Sequence, residues 1–249
     1  MSAKIDPAGR TSVANSSQRS RFDRHAPTYS DDIDRAVSFS FQDAAFFTKA
    51  KADLLVHLLQ GHFKEKSGLG LLDVGCGTGT LHPALVAAGL NVSAVDVAMG
   101  PLEVARTTNP KVRYAMYDGR SLPFAGPMFD VTLAVCVLHH IPEHKHAALL
   151  AEMRRVTRLG GLVCIIEHNP LNPLTRLAVW RCSFDTDAVL LPARKSLAAL
   201  QAAGISADAT RARYFLFSPF DSGRLRAAER HFGWFCLGAQ YCAYGINTA

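Results

Sequence analysis

Short runs of apolar residues alternate along the chain with segments whose apolar side chains recur at helical spacing. Phe47, Ala50, Leu54 and Leu58 lie three or four positions apart and predict a helix that ends near Gly61. Five apolar runs predict strands over residues 68–75, 91–97, 112–117, 129–138 and 162–167. The helices predicted between them cover residues 81–89, 101–107 and 143–159. This order predicts parallel strand–helix–strand units, and strands that are apolar throughout favour a sheet covered on both faces.

The regular alternation stops after Glu167. Residues 169–193 contain prolines with apolar residues between them, and we predict a small cap here that shapes a substrate pocket. Beyond the cap the pattern predicts a helix at 193–203, a strand at 212–217, a short helix at 225–232 and a last strand at 240–246. At the other end, residues 1–20 are small and polar. They predict a disordered N-terminal arm ahead of one domain over residues 21–249.

The net charge of +6 has two explanations. It could attract acidic substrates or an anionic membrane surface. However, no run of Lys and Arg exceeds two residues, which favours an ordinary solvated surface and argues against nucleic-acid binding. The six cysteines include no Cys-x-x-Cys pair and are typical of core residues in a reducing cytosol. No apolar stretch reaches the ~20 residues that span a bilayer, so we expect a cytoplasmic protein without a transmembrane segment.

A glycine-rich turn follows the first predicted strand. Gly75, Gly77 and Gly79 end that strand and open a helix, where glycine permits a sharp turn and a close approach of the backbone to a ligand. A dinucleotide-binding turn would place its third glycine at position 80, which is Thr80 here. Asp73 precedes the turn, and a carboxylate there disfavours an anionic pyrophosphate. It suits a ligand that carries an ammonium group.

Two further acidic residues follow the next two strands. Asp96 ends the second strand, where a carboxylate can accept hydrogen bonds from both ribose hydroxyls, whether of NAD or of another nucleoside. Asp118 and Gly119 follow the third strand, where they could contact an adenine amino group. Because ligands of open α/β sheets bind at the carboxyl ends of the strands, we expect these residues to lie together with Asp73.

These motifs resemble, in order and spacing, those of class I S-adenosylmethionine-dependent methyltransferases. The resemblance covers residues 65–168, extends weakly to Phe22–Tyr29, and is greatest to the small-molecule branch that includes ubiquinone and menaquinone biosynthesis enzymes. The segments that carry it are LLDVGCGTG, AVDVA, YDGRSLPF, FDVTLAVCVLHHI and RLGGLVCIIE. It implies a Rossmann-like, doubly wound α/β fold whose mostly parallel sheet has an antiparallel last strand.

The resemblance also implies a set of residues around the cofactor S-adenosyl-L-methionine. The methionine end would lie against Asp73, Gly75 and Gly77, the ribose against Asp96, and the adenine against Asp118 and Gly119. Two apolar residues after the fourth strand would lie beneath the sulfonium, and three neighbours complete the predicted set. These five are Val135, Leu138, Cys76, Gly79 and Val97.

The predicted catalytic residues are His139 and His140, at the end of the fourth strand. Histidine titrates near neutral pH, so either could take a proton from an acceptor. Alternatively, one caps the following turn and the other packs. The pattern His-His-x-x-x-His-x-His matches no zinc motif, so we predict no metal site.

Four residues are predicted to contact the acceptor. Glu167 and His168 end the fifth strand and could bind the acceptor or simply terminate the strand. Tyr29 could close over the cofactor or form a hydrophobic staple, and Trp180 belongs to the cap. The apolar content of the cap predicts a small-molecule acceptor with an apolar portion. The cap could instead form a dimer contact or rest on a membrane, and the chain could be a monomer or a homodimer.

Three other functions compete with methyl transfer to oxygen, nitrogen or carbon of a small molecule. A non-catalytic S-adenosylmethionine-binding module would keep the cofactor residues but lack an open acceptor pocket. An NAD-dependent oxidoreductase would need Gly-x-Gly-x-x-Gly and a site such as Tyr-x-x-x-Lys, and neither is found. A nucleic-acid methyltransferase usually has an (Asn/Asp)-Pro-Pro-(Tyr/Phe) element after the fourth strand to hold a flipped base, whereas this chain has Leu-His-His-Ile-Pro.

Overall fold

The computed structural model describes residues 16–40, 42–64, 68–183, 185–220 and 222–248 as helices on both sides of one sheet. The helices are α1 (Ser16–His25), α2 (Tyr29–Val37), α3 (Ala44–His62), α4 (His82–Ala87), α5 (Met99–Thr108), α6 (His146–Val156), α7 (Pro173–Arg181), α8 (Ala193–Ala202) and α9 (Gly223–Glu229). The strands are β1 (Gly70–Val74), β2 (Asn91–Asp96), β3 (Arg113–Met116), β4 (Phe129–Val135), β5 (Thr157–His168), β6 (Thr210–Phe215) and β7 (Gln240–Ile246).

The seven strands form one sheet in the order β3-β2-β1-β4-β5-β7-β6. Strands β1 to β5 pair in parallel, and β7 is inserted antiparallel between β5 and β6. The chain order reverses between β1 and β4, which is where open sheets of this kind bind ligands. The predicted Rossmann-like fold with its antiparallel last strand is therefore confirmed.

Successive residues of the central strands serve two separate hydrophobic cores. In β1, Leu71 packs with α3 and α4 on one face, and Leu72 packs with α6 and α8 on the other. In β5, Cys164 belongs to the same core as Leu71, and Ile165 belongs to the same core as Leu72. Because side chains alternate across a strand, a strand that is covered on both faces must be apolar at every position. This explains the continuous apolar runs of the sequence.

The largest difference between predicted and observed boundaries lies between α6 and β5. The predicted helix 143–159 begins with a 3-10 turn at Glu143–Lys145 and ends at Val156, after which β5 starts at Thr157, five residues earlier than predicted. Gly160 and Gly161 lie inside this strand, where Gly160 has φ +76° and its N–H donates to the Asn247 carbonyl over 2.7 Å. The early part of β5 is therefore a bent strand end that is held by the residue following β7.

Part of the predicted N-terminal arm is helical. Residues 1–15 of the predicted arm lie outside the described residues, and α1 begins at Ser16. Tertiary hydrogen bonds hold this polar helix: the Arg19 guanidinium donates to the Asp118 carbonyl over 3.0 Å, and Asp23 accepts from the Gly100 N–H over 2.8 Å. Residues 16–20 have only a weak local preference for a helix. Contacts with distant parts of the chain therefore stabilise this part of α1.

The cap predicted at 169–193 consists of α7 and the loop that follows it. Asn172 begins the helix by accepting the Thr175 N–H over 3.0 Å, and Pro173 stands in the first helical turn, where no N–H is required. Among the described residues, we find no helix with the length and hydrophobicity that crossing a membrane requires.

Candidate active site

A cavity of about 810 Å³ lies at the carboxyl ends of the parallel strands. One part is formed by the glycine turn and the ends of β1 and β2, and the other by the ends of β4 and β5. Helices α2, α3 and α7 and residues 216–220 cover the second part. The sheet topology thus brings the strand-end residues of the sequence motifs to one space. Those that line it are Asp73, Gly75, Cys76, Gly77, Asp96, Val97, Gly119, Val135, His139, His140 and His168.

The glycine turn leaves room for a ligand beside a buried carboxylate. Gly77 has φ +53°, and a Cβ placed on it would meet nothing within 4 Å. Asp73 is only 3% exposed; its Oδ2 lies 3.0 Å from His82 Nε2, and its Oδ1 has no hydrogen-bond partner among the described residues. A buried acceptor of this kind needs a donor. An ammonium group therefore fits this position.

The sequence did not indicate the role of His82. Its ring is fully buried between Asp73 and the Tyr114 hydroxyl, which lies 2.7 Å from Nδ1. Gly79, predicted to bind the cofactor, does not line the cavity. A Cβ there would lie 2.7 Å from His82 Nδ1 and 3.1 Å from the Tyr114 oxygen. Gly79 therefore makes room for the side chains that position Asp73.

Asp96 fastens the glycine turn to the end of β2. Its Oδ2 accepts the Gly77 N–H over 2.8 Å, and its Oδ1 accepts the Ala98 N–H over 2.9 Å. Burial raises the pKa of Asp96, and these amide donors only partly offset the effect. Each carboxylate oxygen keeps acceptor capacity toward the cavity, so the group fits a ribose diol.

The predicted adenine contact is only partly present. Gly119 and the neighbouring Tyr117 are buried and line the cavity, but Asp118 does not. The Asp118 side chain is exposed, and its Oδ1 accepts the N–H groups of Arg120 and Ser121 over 2.8 and 3.0 Å. Burial acts to raise the pKa of Asp118, but these amide donors outweigh it and the pKa is lowered. The carboxylate closes its own turn, a local interaction that aspartate readily makes.

The residues predicted beneath the sulfonium differ in position. Val135 ends β4 and lines the cavity, whereas Leu138 is fully buried in the core on the α6 side of the sheet. The cause is the 3-10 turn Leu138–His140, which follows β4 after Cys136 and Val137 and turns Leu138 inward and His140 toward the cavity.

His139 lies between two carboxylates. Its Nδ1 is 2.5 Å from Glu167 Oε2, and its Nε2 is 3.7 Å from Asp185 Oδ1. Burial acts to lower the pKa of His139, but the charge and hydrogen bond of Glu167 and the charge of Asp185 outweigh it and raise the pKa well above its usual value. This environment favours the protonated ring, which suits a charge stabiliser better than the predicted base.

Glu167 is fully buried behind His139 and does not line the cavity, so it cannot bind the acceptor as predicted. Its Oε1 accepts the Leu138 N–H over 2.7 Å. Burial acts to raise its pKa, but the His139 cation outweighs this and lowers the pKa. Glu167 is a positioning residue for His139.

His140 has the opposite electrostatic environment. Burial lowers its pKa, and the charge of His139 lowers it further, while the Asp185 carboxylate partly offsets both effects. Asp185 Oδ1 lies 3.3 Å from His140 Nε2 and orients the ring. A neutral histidine that lines the cavity can accept a proton near pH 7. Sequence reasoning placed Asp185 in the cap but gave it no role.

His139, His140 and Asp185 also form the one group among the described residues that could hold a metal ion. Their ligand atoms lie within 4.8 Å of one another.

The predicted acceptor residues are divided between the cavity and the surface. Tyr29 and His168 line the cavity, and burial raises the pKa of the Tyr29 hydroxyl. Trp180 is 81% exposed and lies outside the cavity, because α7 turns Ala178 and Val179 inward instead. Sequence reasoning did not assign the apolar wall of the cavity, which includes Phe22, Ile33, Phe39, Phe47, Leu174, Phe217 and Phe220.

Comparison with known proteins gives a consistent result. Residues 72–165 match a family model described as a methyltransferase domain. The chain is 39% identical over 102 residues to a demethylmenaquinone methyltransferase of Renibacterium salmoninarum, covering 41% of this chain and 42% of that one. It is 33% identical over 132 residues to a malonyl-[acyl-carrier protein] O-methyltransferase of Serratia marcescens, covering 52% and 51%. The chain thus spans about half the length of the curated relatives it matches.

A solved structure extends the likeness of the fold over almost the whole chain. An S-adenosylmethionine-dependent methyltransferase of Thermotoga maritima, described as a possible histamine N-methyltransferase, aligns with TM-score 0.64 and 17% identity. The alignment covers 92% of this chain and 99% of that one. Together these findings confirm the resemblance predicted from the motifs, and S-adenosyl-L-methionine is the cofactor that they imply.

Proposed function

We propose that this chain, whose residues 72–165 match a methyltransferase domain, is a class I S-adenosylmethionine-dependent methyltransferase that transfers the methyl group of S-adenosyl-L-methionine to a small-molecule acceptor and yields S-adenosylhomocysteine. The observation that carries the proposal is the pair of buried carboxylates, Asp73 and Asp96, on either side of the open glycine turn at Gly77. Asp73 would hold the ammonium group and Asp96 the ribose, with Tyr117 and Gly119 beside the adenine.

The bound cofactor supplies a methyl group that is already activated on a sulfonium sulfur. The task of the protein is to align the acceptor, exclude water and, where needed, remove a proton. His140 is suited to take that proton because its pKa is lowered and Asp185 orients its ring. The His139 cation, held by Glu167, can stabilise negative charge that develops on the acceptor.

The apolar wall of the cavity supports an acceptor with an apolar portion. Phe39, Phe47 and Phe217 face the same space as His140, so an apolar body could be bound while its reactive group meets the base. A base is useful only if the acceptor loses a proton, which favours a hydroxyl or an acidic carbon.

The same cavity favours an enzyme over a non-catalytic S-adenosylmethionine-binding module. A cofactor-binding module needs only the part around Asp73 and Asp96, but the cavity continues to the histidines and the cap. An NAD-dependent oxidoreductase is disfavoured because the buried carboxylate of Asp73 would repel a pyrophosphate. The proteins cited above for their sequence or fold are all methyltransferases.

Calorimetric titration with S-adenosyl-L-methionine, S-adenosylhomocysteine and NADH tests the proposal. We expect micromolar binding of both adenosyl ligands and none of NADH. Asp96→Asn should weaken binding by at least about tenfold, since a carboxylate accepts stronger hydrogen bonds than an amide. Asp118→Asn is the matched control and should change affinity little, because that side chain points away from the cavity. Folded protein that binds neither adenosyl ligand would refute the proposal.

A further inference from the structure

Cys136 and His168 face each other across the ends of two neighbouring strands. Cys136 directly follows β4, and His168 is the last residue of β5. Cys136 Sγ lies 3.6 Å from His168 Nε2, within hydrogen-bonding distance for sulfur, and both residues line the cavity. This is the relation of a nucleophile to its base. The proposed methyl transfer uses neither residue.

The backbone at Cys136 holds the thiol in place. Its φ is +56°, a left-handed conformation that residues other than glycine rarely adopt, and its N–H donates to the Ile166 carbonyl over 2.8 Å. The position of Sγ is therefore set by the junction of β4 and β5.

A third residue orients the imidazole. Gln240 lies opposite His168 in the pairing of β5 with β7, and its Nε2 is 3.3 Å from His168 Nδ1. Turning the Gln240 amide brings its oxygen to Nδ1, where it accepts the Nδ1–H and leaves the unprotonated Nε2 facing the sulfur. Gln240 is 3% exposed and lines the cavity, so its side chain is held beside the pair.

Cys76, Cys136 and Cys182 line the cavity, and the charges around the first two have opposite effects. Burial acts to raise the pKa of the Cys136 thiol, but His168 and the Lys51 ammonium outweigh it and lower the pKa. Cys76 lines the same cavity, and burial together with the charges of Asp73 and Asp96 raises its pKa well above the ordinary value. Of these two, only Cys136 is prepared to react as a thiolate.

We propose that Cys136, His168 and Gln240 form a nucleophilic thiol site that adds reversibly to an electron-poor conjugated carbonyl compound, an enone or a quinone. His168 takes the thiol proton as the sulfur bonds to the carbon β to the carbonyl, and the π electron pair moves to the carbonyl oxygen. His168 then returns that proton to the resulting enolate. The reverse sequence releases the compound. No oxidant or reductant is required.

Alkylation of each cysteine by iodoacetamide, measured by peptide mass spectrometry between pH 5.5 and 9, tests the site. We expect Cys136 to react at least about tenfold faster than Cys76 at pH 6.5, because the thiolate is the reacting form. Its rate should stay high below pH 8, where an ordinary thiol slows. The exposed Cys236 provides a reference for accessibility. Incubation with 2-cyclohexenone should add one equivalent of mass at Cys136, and this mass should disappear on dilution.

Two variants distinguish a thiol that His168 activates from a cysteine that is merely accessible to the reagent. His168→Asn should return the pH profile of Cys136 to that of an ordinary thiol, and Cys136→Ser should abolish the enone adduct. Titration with S-adenosyl-L-methionine checks that both variants remain folded. Equal rates at Cys136 and Cys76, or an unchanged profile in His168→Asn, would overturn the proposal. Alkylation is measured without methyl donor, so the result stands whether or not methyl transfer is found.

Discussion

His139 and His140 are adjacent in the chain, yet their surroundings favour different protonation states. Glu167 contacts the first ring and raises its pKa, whereas burial and the neighbouring cation lower the pKa of the second. Asp185 touches both rings and links them. Two identical side chains can thus divide the roles of base and charge stabiliser between them.

Replacing His140 tests this division of roles. We expect His140→Gln to lower kcat by about 10²–10⁴-fold, the usual contribution of a general base. Because the base must be neutral and its pKa is lowered, wild-type activity should be level at neutral pH and fall only as the pH drops below 6.5. Asp185→Asn removes a group that raises this pKa, so its acid limb should move to lower pH. The exposed His144, changed to Gln, is the control and should leave the profile of kcat/KM unaltered.

Glu167 should contribute strongly to the stability of the folded state. Glu167→Gln leaves the His139 cation buried without its partner, and we expect a loss of about 3–5 kcal/mol in urea unfolding at pH 7. The lowered pKa of Glu167 stabilises the fold above pH 4.5, and this is lost as the pH falls through its folded pKa. The raised pKa of His139 stabilises the fold below pH 6.5, and this is lost as the pH rises through its folded pKa. Glu143→Gln, on the surface, should change stability little; an equal effect of both variants would contradict this account.

Most residues predicted around the cofactor line the cavity, whereas Glu167 and Trp180 of the predicted acceptor residues do not. Asp73 and Asp96 stand at strand ends, and a parallel sheet necessarily brings such positions to one edge. Asp185 and His82 could not be found in this way, because each reaches its partner through packing between distant parts of the chain. Trp180 belongs to the predicted cap, but the sequence does not reveal the orientation of α7, which directs this side chain to solvent.

The loop before β7 packs closely on β6. A Cβ on Gly238 would lie 2.5 Å from the Phe215 carbonyl oxygen and 2.8 Å from the Phe215 nitrogen. These are backbone atoms of a paired strand, which cannot move aside as a flexible side chain can. The glycine therefore allows β6 and β7 to join at the edge of the sheet.

Gly238→Ala should separate this loop from β6. We expect a loss of about 1–3 kcal/mol in the free energy of unfolding, as for other overpacked positions, measured by urea denaturation. Gly126→Ala is the matched control, since a Cβ there meets nothing within 4 Å. Similar stability of the two variants would show that the loop can shift without cost.

At the scale of elements, the sequence predicted which strands exist better than it predicted where the elements begin and end. The apolar runs identified β1 to β5 because a buried strand must be apolar on both faces. Helix α1 was missed in part because its polar residues carry no apolar period, and its hydrogen bonds go to Asp118 and Gly100, which are far away in the chain. The start of β5 was predicted too late because Gly160 and Gly161 suggest the end of a helix, where glycine is common.

Exposed apolar side chains gather at the cap side of the whole molecule. Leu171, Leu174 and Trp180 are 53%, 57% and 81% exposed, and Trp234 is 71% exposed. The segment that contains Leu171, Leu174 and Trp180 adjoins the segment that contains Trp234, because the Asn172 amide donates to the Leu237 carbonyl over 2.8 Å. Residues 169–182 contain no acidic residue and two arginines, Arg176 and Arg181. Such a surface is suited to an anionic membrane.

Sedimentation with lipid vesicles tests whether this surface contacts membranes. We expect binding to vesicles that contain phosphatidylglycerol and weaker binding to neutral ones. Combined Trp180→Ser and Trp234→Ser should reduce binding severalfold, because indole rings anchor at the interface. Leu159→Ser, which removes a residue 71% exposed at the opposite end of β5, should not. Equal binding by all three proteins would exclude a specific membrane surface.

The insertion of β7 between β5 and β6 has a consequence for biosynthesis. A ribosome completes β6 before β7, yet in the described sheet β6 pairs with β7 alone. Until β7 emerges, β6 has no strand to join, and the apolar edge of β5 stays open. A nascent chain at this stage presents an unpaired edge that other chains could capture. Yield during expression should therefore depend on how quickly the last strand is delivered, and chaperones that shield strand edges should act before that moment.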